Sequence, residues 1–247
     1  MPTVERDGAT IYYEESGNAS GFPLLLLAPG GLNSAIPFWH RMPLNPIEAF
    51  KDEYRVIAMD QRNAGNSRGP LRPDDAWGML AADQLAVLDA LGIQQAHTIG
   101  CCIGCSFILK LIEVAPERVT SGILMQPIGV DRADPGYFGP AMWTPWGETL
   151  IANGADLTME TVDAYGHNLF DSGGVFSVSY DFIKTIKTPL LLMDGNDRAH
   201  PKATSEDIVT LLPSIERVER WRDEDVVASA TEATRTFLRK HTPVGVR

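Results

Sequence analysis

The stretch HTIGCCIGCS, residues 97–106, decides how the rest of the chain is read. AHTIGC (96–101) has the look of a buried strand, and IGCSFILKLIEVAPERV (103–119) carries apolar residues at helical spacing until Pro116. Cys102 stands at the turn between them, with Gly100 and Gly104 two residues away on either side. Glycines at those positions let a strand and a helix approach closely. Such a turn perches its central side chain at a helix N-terminus, facing free N–H groups and the positive end of the dipole. Many enzymes place a serine there. A cysteine gains more, because that field favours thiolate over thiol. Cys102 is therefore expected to act as a nucleophile that ionises without a separate base. Cys101 and Cys105 read as core residues.

Working outward, ATIYYEESG (9–17), FPLLLLAPGG (22–31), YRVIAMDQR (54–62), VTSGILMQP (119–127), TPLLLMDGND (188–197) and IERVERW (215–221) read as further strands. The unbroken apolar runs suit central strands buried on both faces. WGMLAADQLAVLDALG (77–92), SEDIVTLLP (205–213) and DVVASATEATRTFLRK (225–240) supply helices. This alternation predicts an α/β fold with a mostly parallel central sheet and helices on both faces. Residues 130–187 break the alternation. They hold Trp143, Trp146, Tyr165, Phe170 and Phe176 among prolines and glycines. A structureless loop of that length is improbable in a compact domain. The expected organisation is a core of residues 1–129 and 188–247 with a lid inserted at 130–187.

A formal charge of -11 removes nucleic acid from the expected partners, since a nucleic-acid footprint needs clustered Lys and Arg. PLLLLAP is too short to span a bilayer, so no membrane is expected either. MPTVERDGAT lacks a basic start followed by an apolar run. Three cysteines, an odd number with two adjacent, make no disulfide framework, and a cytoplasmic location is expected. No metal site or cofactor is expected. The remaining partner is a small-molecule substrate.

Four motifs in order make the chain similar to the α/β-hydrolase superfamily over nearly its whole length. APGG (28–31) stands where that family has a turn after its third strand. DQRNAGNS (60–67) resembles its Asp-x-Arg-Gly-x-Gly-x-Ser turn. GCCIG (100–104) matches its Gly-x-Ser-x-Gly nucleophile elbow with Cys for Ser, and GNDRAHP (195–201) resembles its acid-bearing loop. The resemblance implies catalytic roles for Cys102 and Asp197, and an oxyanion hole made by the backbone N–H groups of Ile103 and Gly31, with Leu32 the neighbouring option. It also exposes a departure. The family's histidine follows the last strand, and IERVERWRDEDVVASATEATRTFL (215–238) contains none; Arg220 or Trp221 falls near its place. His200, His167 and His40 are the candidate substitute bases, while His97 reads as structural. Two functions remain open: a hydrolase of an ester, thioester or lactone of a small apolar molecule, or a non-catalytic small-molecule receptor that keeps the pocket.

Overall fold

The computed structural model describes residues 1–131 and 134–245. Its strands are β1 (Thr3–Arg6), β2 (Ala9–Gly17), β3 (Pro23–Leu27), β4 (Arg55–Met59), β5 (Ala96–Cys101), β6 (Val119–Met125), β7 (Leu190–Met193) and β8 (Glu216–Val218). They form one sheet in the order β1-β2-β4-β3-β5-β6-β7-β8. The β1–β2 and β2–β4 pairs are antiparallel and the others parallel. β1 was not among the expected strands. Its residues alternate between exposed and half-buried, so no apolar run marks it, and pairing with β2 holds it in place.

The helices are α1 (Pro46–Phe50), α2 (Ala76–Ala90), α3 (Ile103–Val114), α4 (Pro140–Ala152), α5 (Met159–Phe170), α6 (Tyr180–Ile183), α7 (Lys202–Leu211) and α8 (Val227–His241). On one face of the sheet Leu25 and Leu27 of β3 share a core with Leu80, Ile108 and Ile208 of α2, α3 and α7. On the other, Leu24 and Leu26 meet Phe50 of α1 and Phe237 and Leu238 of α8. Both faces are covered, which is why PLLLL reads as a continuous apolar run rather than an alternation.

Between β6 and β7 the chain forms α4, α5 and α6. Positions 132 and 133 of the expected insertion, and 246 and 247 of the expected core, lie outside the described residues. Trp143, Trp146, Tyr165, Phe170 and Phe176 belong to the same core cluster as the residues of α2 and α3. Trp146 donates its indole N–H to the Asn63 carbonyl (3.3 Å), Trp77 to the Leu169 carbonyl (3.1 Å), and Ser106 Oγ to the Val175 carbonyl (2.8 Å). These bonds tie the segment to the loop after β4 and to the first turns of α2 and α3.

The sheet order places the site. From β3 the chain moves outward to β4, then crosses back over β3 to β5. The loops leaving β3 and β5 therefore diverge, and a crevice opens at the carboxyl ends of the two strands. The APGG turn and Cys102 both stand at that switch point.

Candidate active site

Close approach makes the elbow. A Cβ on Gly100 would lie 2.2 Å from the Gly104 carbonyl oxygen, and one on Gly104 would lie 2.1 Å from the Leu27 carbonyl oxygen. Both positions therefore require glycine for α3 to start so tightly against β5 and β3. Between them Cys102 caps the helix with φ 60 and ψ -120, in the left-handed region that a side chain rarely adopts. Its backbone N–H is held by the Met125 carbonyl at 3.0 Å. The surrounding hydrogen bonds pay for the strain, as is common where a side chain must be aimed.

Three backbone N–H groups bear on the Cys102 sulfur: those of Ile103, Gly30 and Gly31. Gly30 and Gly31 have φ 124 and φ 59, and a Cβ on Gly30 would meet the Phe38 ring at 3.0 Å. The turn thus aims successive amides inward, as a short 3-10 helix (Gly31–Asn33) begins. Gly30 was not singled out in the sequence; only folding shows that its amide joins the other two.

Part of the Cys102 residue is open to solvent, but neighbouring atoms crowd the sulfur. Burial pushes the thiol up to about 11, against the pull of the three amides, and the Asp197 charge adds to the rise. The expectation that the helix terminus alone would ionise Cys102 is corrected here. Desolvation of the anion outweighs the amide field. Cys101 and Cys105 are fully buried, and burial holds both thiols well above the ordinary range. Cys105 Sγ donates to the Gly100 and Met125 carbonyls at 3.3 and 3.2 Å.

Asp197 follows β7 in a tight loop, where its Oδ1 accepts from the backbone N–H of Ala199 (3.1 Å) and of His200 (3.0 Å). The same oxygen lies 2.7 Å from His200 Nδ1. Burial opposes the carboxylate charge, yet His200 and Arg222 together hold Asp197 below its ordinary value. A carboxylate only accepts, so Nδ1 carries the proton of the neutral ring and Nε2 is left with a free lone pair. Burial lowers the His200 pKa despite Asp197, and Arg222 lowers it further. Nε2 is buried and has no hydrogen-bond partner among the described residues, the Cys102 sulfur included.

Arg222 is the residue that sequence reasoning passed over. Its two terminal nitrogens lie 3.2 Å from Asp197 Oδ2, and its guanidinium sits 5.2 Å from the Trp221 ring. The signal was present as Trp221-Arg222, beginning three residues after the end of β8. Arg220, the neighbour considered instead, pairs with Asp223 (3.0 Å) and Asp225 (3.1 Å) on the surface. Asp194 is held by Arg217 in a two-pronged pair at 2.9 and 2.6 Å.

The other histidines lie apart. His167 pairs with Asp171 at 2.9 Å and packs on Trp143, and His40 is exposed beside Asn45 (3.3 Å). His97 is buried between Ser121 (2.8 Å) and Thr242 (2.9 Å). No group of His, Cys, Asp or Glu able to hold a metal occurs among the described residues. No helix among them is long and apolar enough to cross a membrane.

DQRNAGNS builds the neighbouring wall. Asp60 is fully buried and accepts from the N–H of Ile36 (2.8 Å) and Asn66 (2.7 Å). Arg62 meets Asp83 of α2 through two bonds of 2.8 and 2.6 Å, a pair shielded from water. Gly31, Ile103, Gln61, Leu80, Phe107 and Trp146 are among the residues lining a cavity beside the converging amides.

Comparison with known proteins agrees with this architecture. The alpha/beta hydrolase fold family matches residues 23–176. A RutD protein of Azorhizobium caulinodans, named as a carbamate hydrolase, is 36% identical over 134 residues, covering 54% of this chain and 46% of that protein. The zearalenone hydrolase of Cladophialophora bantiana is 33% identical over 137 residues, covering 53% and 47%. The chain thus spans about half the length of these relatives. The enol-lactonase from Burkholderia xenovorans superposes with a TM-score of 0.71 at 20% identity, covering 96% of this chain and 100% of that one, a likeness of fold.

Proposed function

Because the chain belongs to the α/β-hydrolase fold family, we propose that it hydrolyses an ester, thioester or lactone bond of a small, largely apolar molecule. In this reading Cys102 is the nucleophile, His200 the base and Asp197 the group that orients it. One observation carries the assignment: His200 Nδ1 lies 2.7 Å from Asp197 while Nε2 is buried and unpartnered, on a loop leaving the same end of the sheet. A thiol with a pKa of about 11 is ionised to only about one part in 10⁴ at pH 7. Attack therefore needs a proton acceptor, and the free lone pair of Nε2 is the available one.

The substrate carbonyl oxygen binds where the amides of Ile103, Gly31 and Gly30 converge. Nε2 takes the thiol proton as the sulfur attacks the carbonyl carbon, and the oxyanion is held by those N–H groups. The imidazolium, stabilised by Asp197, returns the proton to the leaving alkoxide or thiolate. Water, deprotonated by Nε2, then attacks the acyl-cysteine thioester, and the sulfur departs and regains its proton. Since the Asp197–His200 pair and Cys102 share no hydrogen bond before substrate binds, the contact closes in the Michaelis complex. Residues 130–187 serve as the lid of the core formed by 1–129 and 188–247. Three free cysteines suit a reducing cytoplasm.

One feature favours a second reading, a small-molecule receptor that retains the pocket: the thiol stays protonated and Nε2 does not reach it. Short-chain acyl nitrophenyl esters separate the two. The hydrolase releases a burst of nitrophenol equal to the protein concentration, followed by turnover, and Cys102→Ala abolishes both. Binding of the esters without a burst is the receptor's outcome. Turnover that survives Cys102→Ala eliminates this sulfur as the nucleophile.

A further inference from the structure

The loop after β8 is fastened to the end of β7 before it reaches the site. The Trp221 indole is buried and donates to the Asp194 carbonyl at 2.9 Å, while the Asp194 N–H donates to the Val218 carbonyl at 3.2 Å. Arg217 holds both oxygens of the Asp194 carboxylate. Arg222, the residue after Trp221, therefore starts from a fixed place, with its guanidinium over the Trp221 ring.

From there Arg222 divides the Asp197 carboxylate between two partners. Oδ2 takes the two terminal nitrogens of Arg222, each at 3.2 Å. Oδ1 takes His200 Nδ1 at 2.7 Å together with the N–H groups of Ala199 and His200. A carboxylate with donors at both oxygens cannot turn without losing some of them.

Among the described residues, two charges bear on His200: the Asp197 carboxylate on its own loop and the Arg222 guanidinium from the loop after β8. The first favours a protonated ring, and the second opposes it together with burial. The other charged groups of these elements are engaged elsewhere. Arg198 pairs with Asp134 beside the Tyr137 ring, Arg217 with Asp194, and Arg220 with Asp223 and Asp225. Lys202 on α7 faces Glu206 at 4.0 Å. Cys102, on the loop after β5, holds its proton. A carboxylate and an imidazole alone become neutral when the ring takes a proton. With Arg222 added, the group starts neutral and becomes positive.

Resting on the reading of His200 as the base, we propose that Arg222 is the positioning residue of this site: it holds Asp197 Oδ2 so that Oδ1 faces His200, and its charge offsets the carboxylate that would otherwise favour a protonated ring. It acts on the reaction only through Asp197 and His200. The proton acceptor stays available in acidic solution, and the hydrolase keeps its rate there.

The test is the pH profile of acylation by 4-nitrophenyl acetate, followed by stopped flow. In wild type the rate rises with the neutral imidazole and then levels. Arg222→Gln keeps a hydrogen-bonding side chain but removes the charge. Its rising limb is expected to move to higher pH, so that the rate at pH 5 relative to that at pH 8 falls about threefold or more. Arg222→Lys keeps the charge without the fork; it is expected to retain the wild-type limb and lower the plateau. If Arg222→Gln fails to fold, Arg222→Met replaces it with the same expected shift. A limb that stays in place without the charge overturns the proposal, and so does one that moves equally in Arg222→Lys. A merely structural role would lower the plateau alone.

The His200 ring is titrated by proton NMR in parallel, its signal assigned by its loss in His200→Gln. A midpoint that rises in Arg222→Gln and not in Arg222→Lys, in a protein that no ester acylates, keeps this inference and defeats the hydrolase reading. Acylation by wild type with a midpoint unmoved in Arg222→Gln does the reverse.

Discussion

Replacing His200 with Gln keeps a hydrogen-bonding side chain beside Asp197 but removes the proton acceptor. Its consequence is worked from the Cys102 thiol, which burial pushes up to about 11. At pH 8 about one sulfur in 10³ is thiolate, against about one in 10 for a thiol at the ordinary value near 9. Iodoacetamide is attacked at its methylene carbon with loss of iodide, so no oxyanion forms, and its rate reads the thiolate population. Alkylation of Cys102 is thus expected to be about a hundredfold slower than that of free cysteine at pH 8, rising about tenfold per pH unit. Acylation by a nitrophenyl ester behaves differently if Nε2 removes the proton during attack. Its rate follows the neutral imidazole, rises with pH only up to the His200 pKa, which lies below the usual 6.5, and is flat above it. Stopped-flow acylation and mass-spectrometric alkylation, measured from pH 5 to 10, give both profiles. In His200→Gln the plateau is expected to vanish, with acylation at pH 7 slowed by about 10²–10⁴-fold, the usual worth of general-base help. A plateau that survives in His200→Gln refutes the assignment of His200 as base. Wild-type acylation that climbs in parallel with alkylation refutes it equally.

Two further predictions concern the scaffold. Gly104→Ala places a methyl 2.1 Å from the Leu27 carbonyl oxygen, so β3 and α3 must separate; thermal unfolding is expected to show a loss of about 1–3 kcal/mol, and an unchanged midpoint would mean the elbow tolerates the shift. His97 is fully buried and its pKa falls to about 3, so the folded state keeps it neutral while the unfolded chain protonates it near 6.5. Its contribution is complete above pH 6.5 and is lost as pH falls toward 3; by pH 5 the loss is roughly 2 kcal/mol, measurable by urea unfolding at pH 7 and 5. His97→Gln is expected to flatten that dependence, and an equal slope in the variant would assign the acid sensitivity elsewhere.

The order of elements was legible in the sequence because both faces of the sheet are covered. Runs such as PLLLL, RVIAM and LLLM announce buried parallel strands, and periodic apolar positions announce the helices between them. β1 was not legible, since TVER has no periodic apolar pattern and is a strand only because β2 pairs with it. The elbow was legible because its constraint is local: two glycines and the residue between them, at one strand–helix turn.

What the chain alone determined, then, is the α/β-hydrolase architecture, the placement of a cysteine at its elbow, and the want of a histidine between residues 215 and 238. Those properties depend on residues close together in sequence and on the solvent each element must exclude. Tertiary structure decided the rest. It placed Arg222 from beyond β8 against the same carboxylate that holds His200, and left Nε2 without a partner. It set the thiol above its ordinary value, because ionisation depends on the sum of burial, amides and charges brought together from distant loops. It also left Gln61 Nε2 and Gln84 Oε1 buried without hydrogen-bond partners among the described residues. Electrostatics and unsatisfied hydrogen bonds are properties of a packed neighbourhood, and no local run of residues carries them.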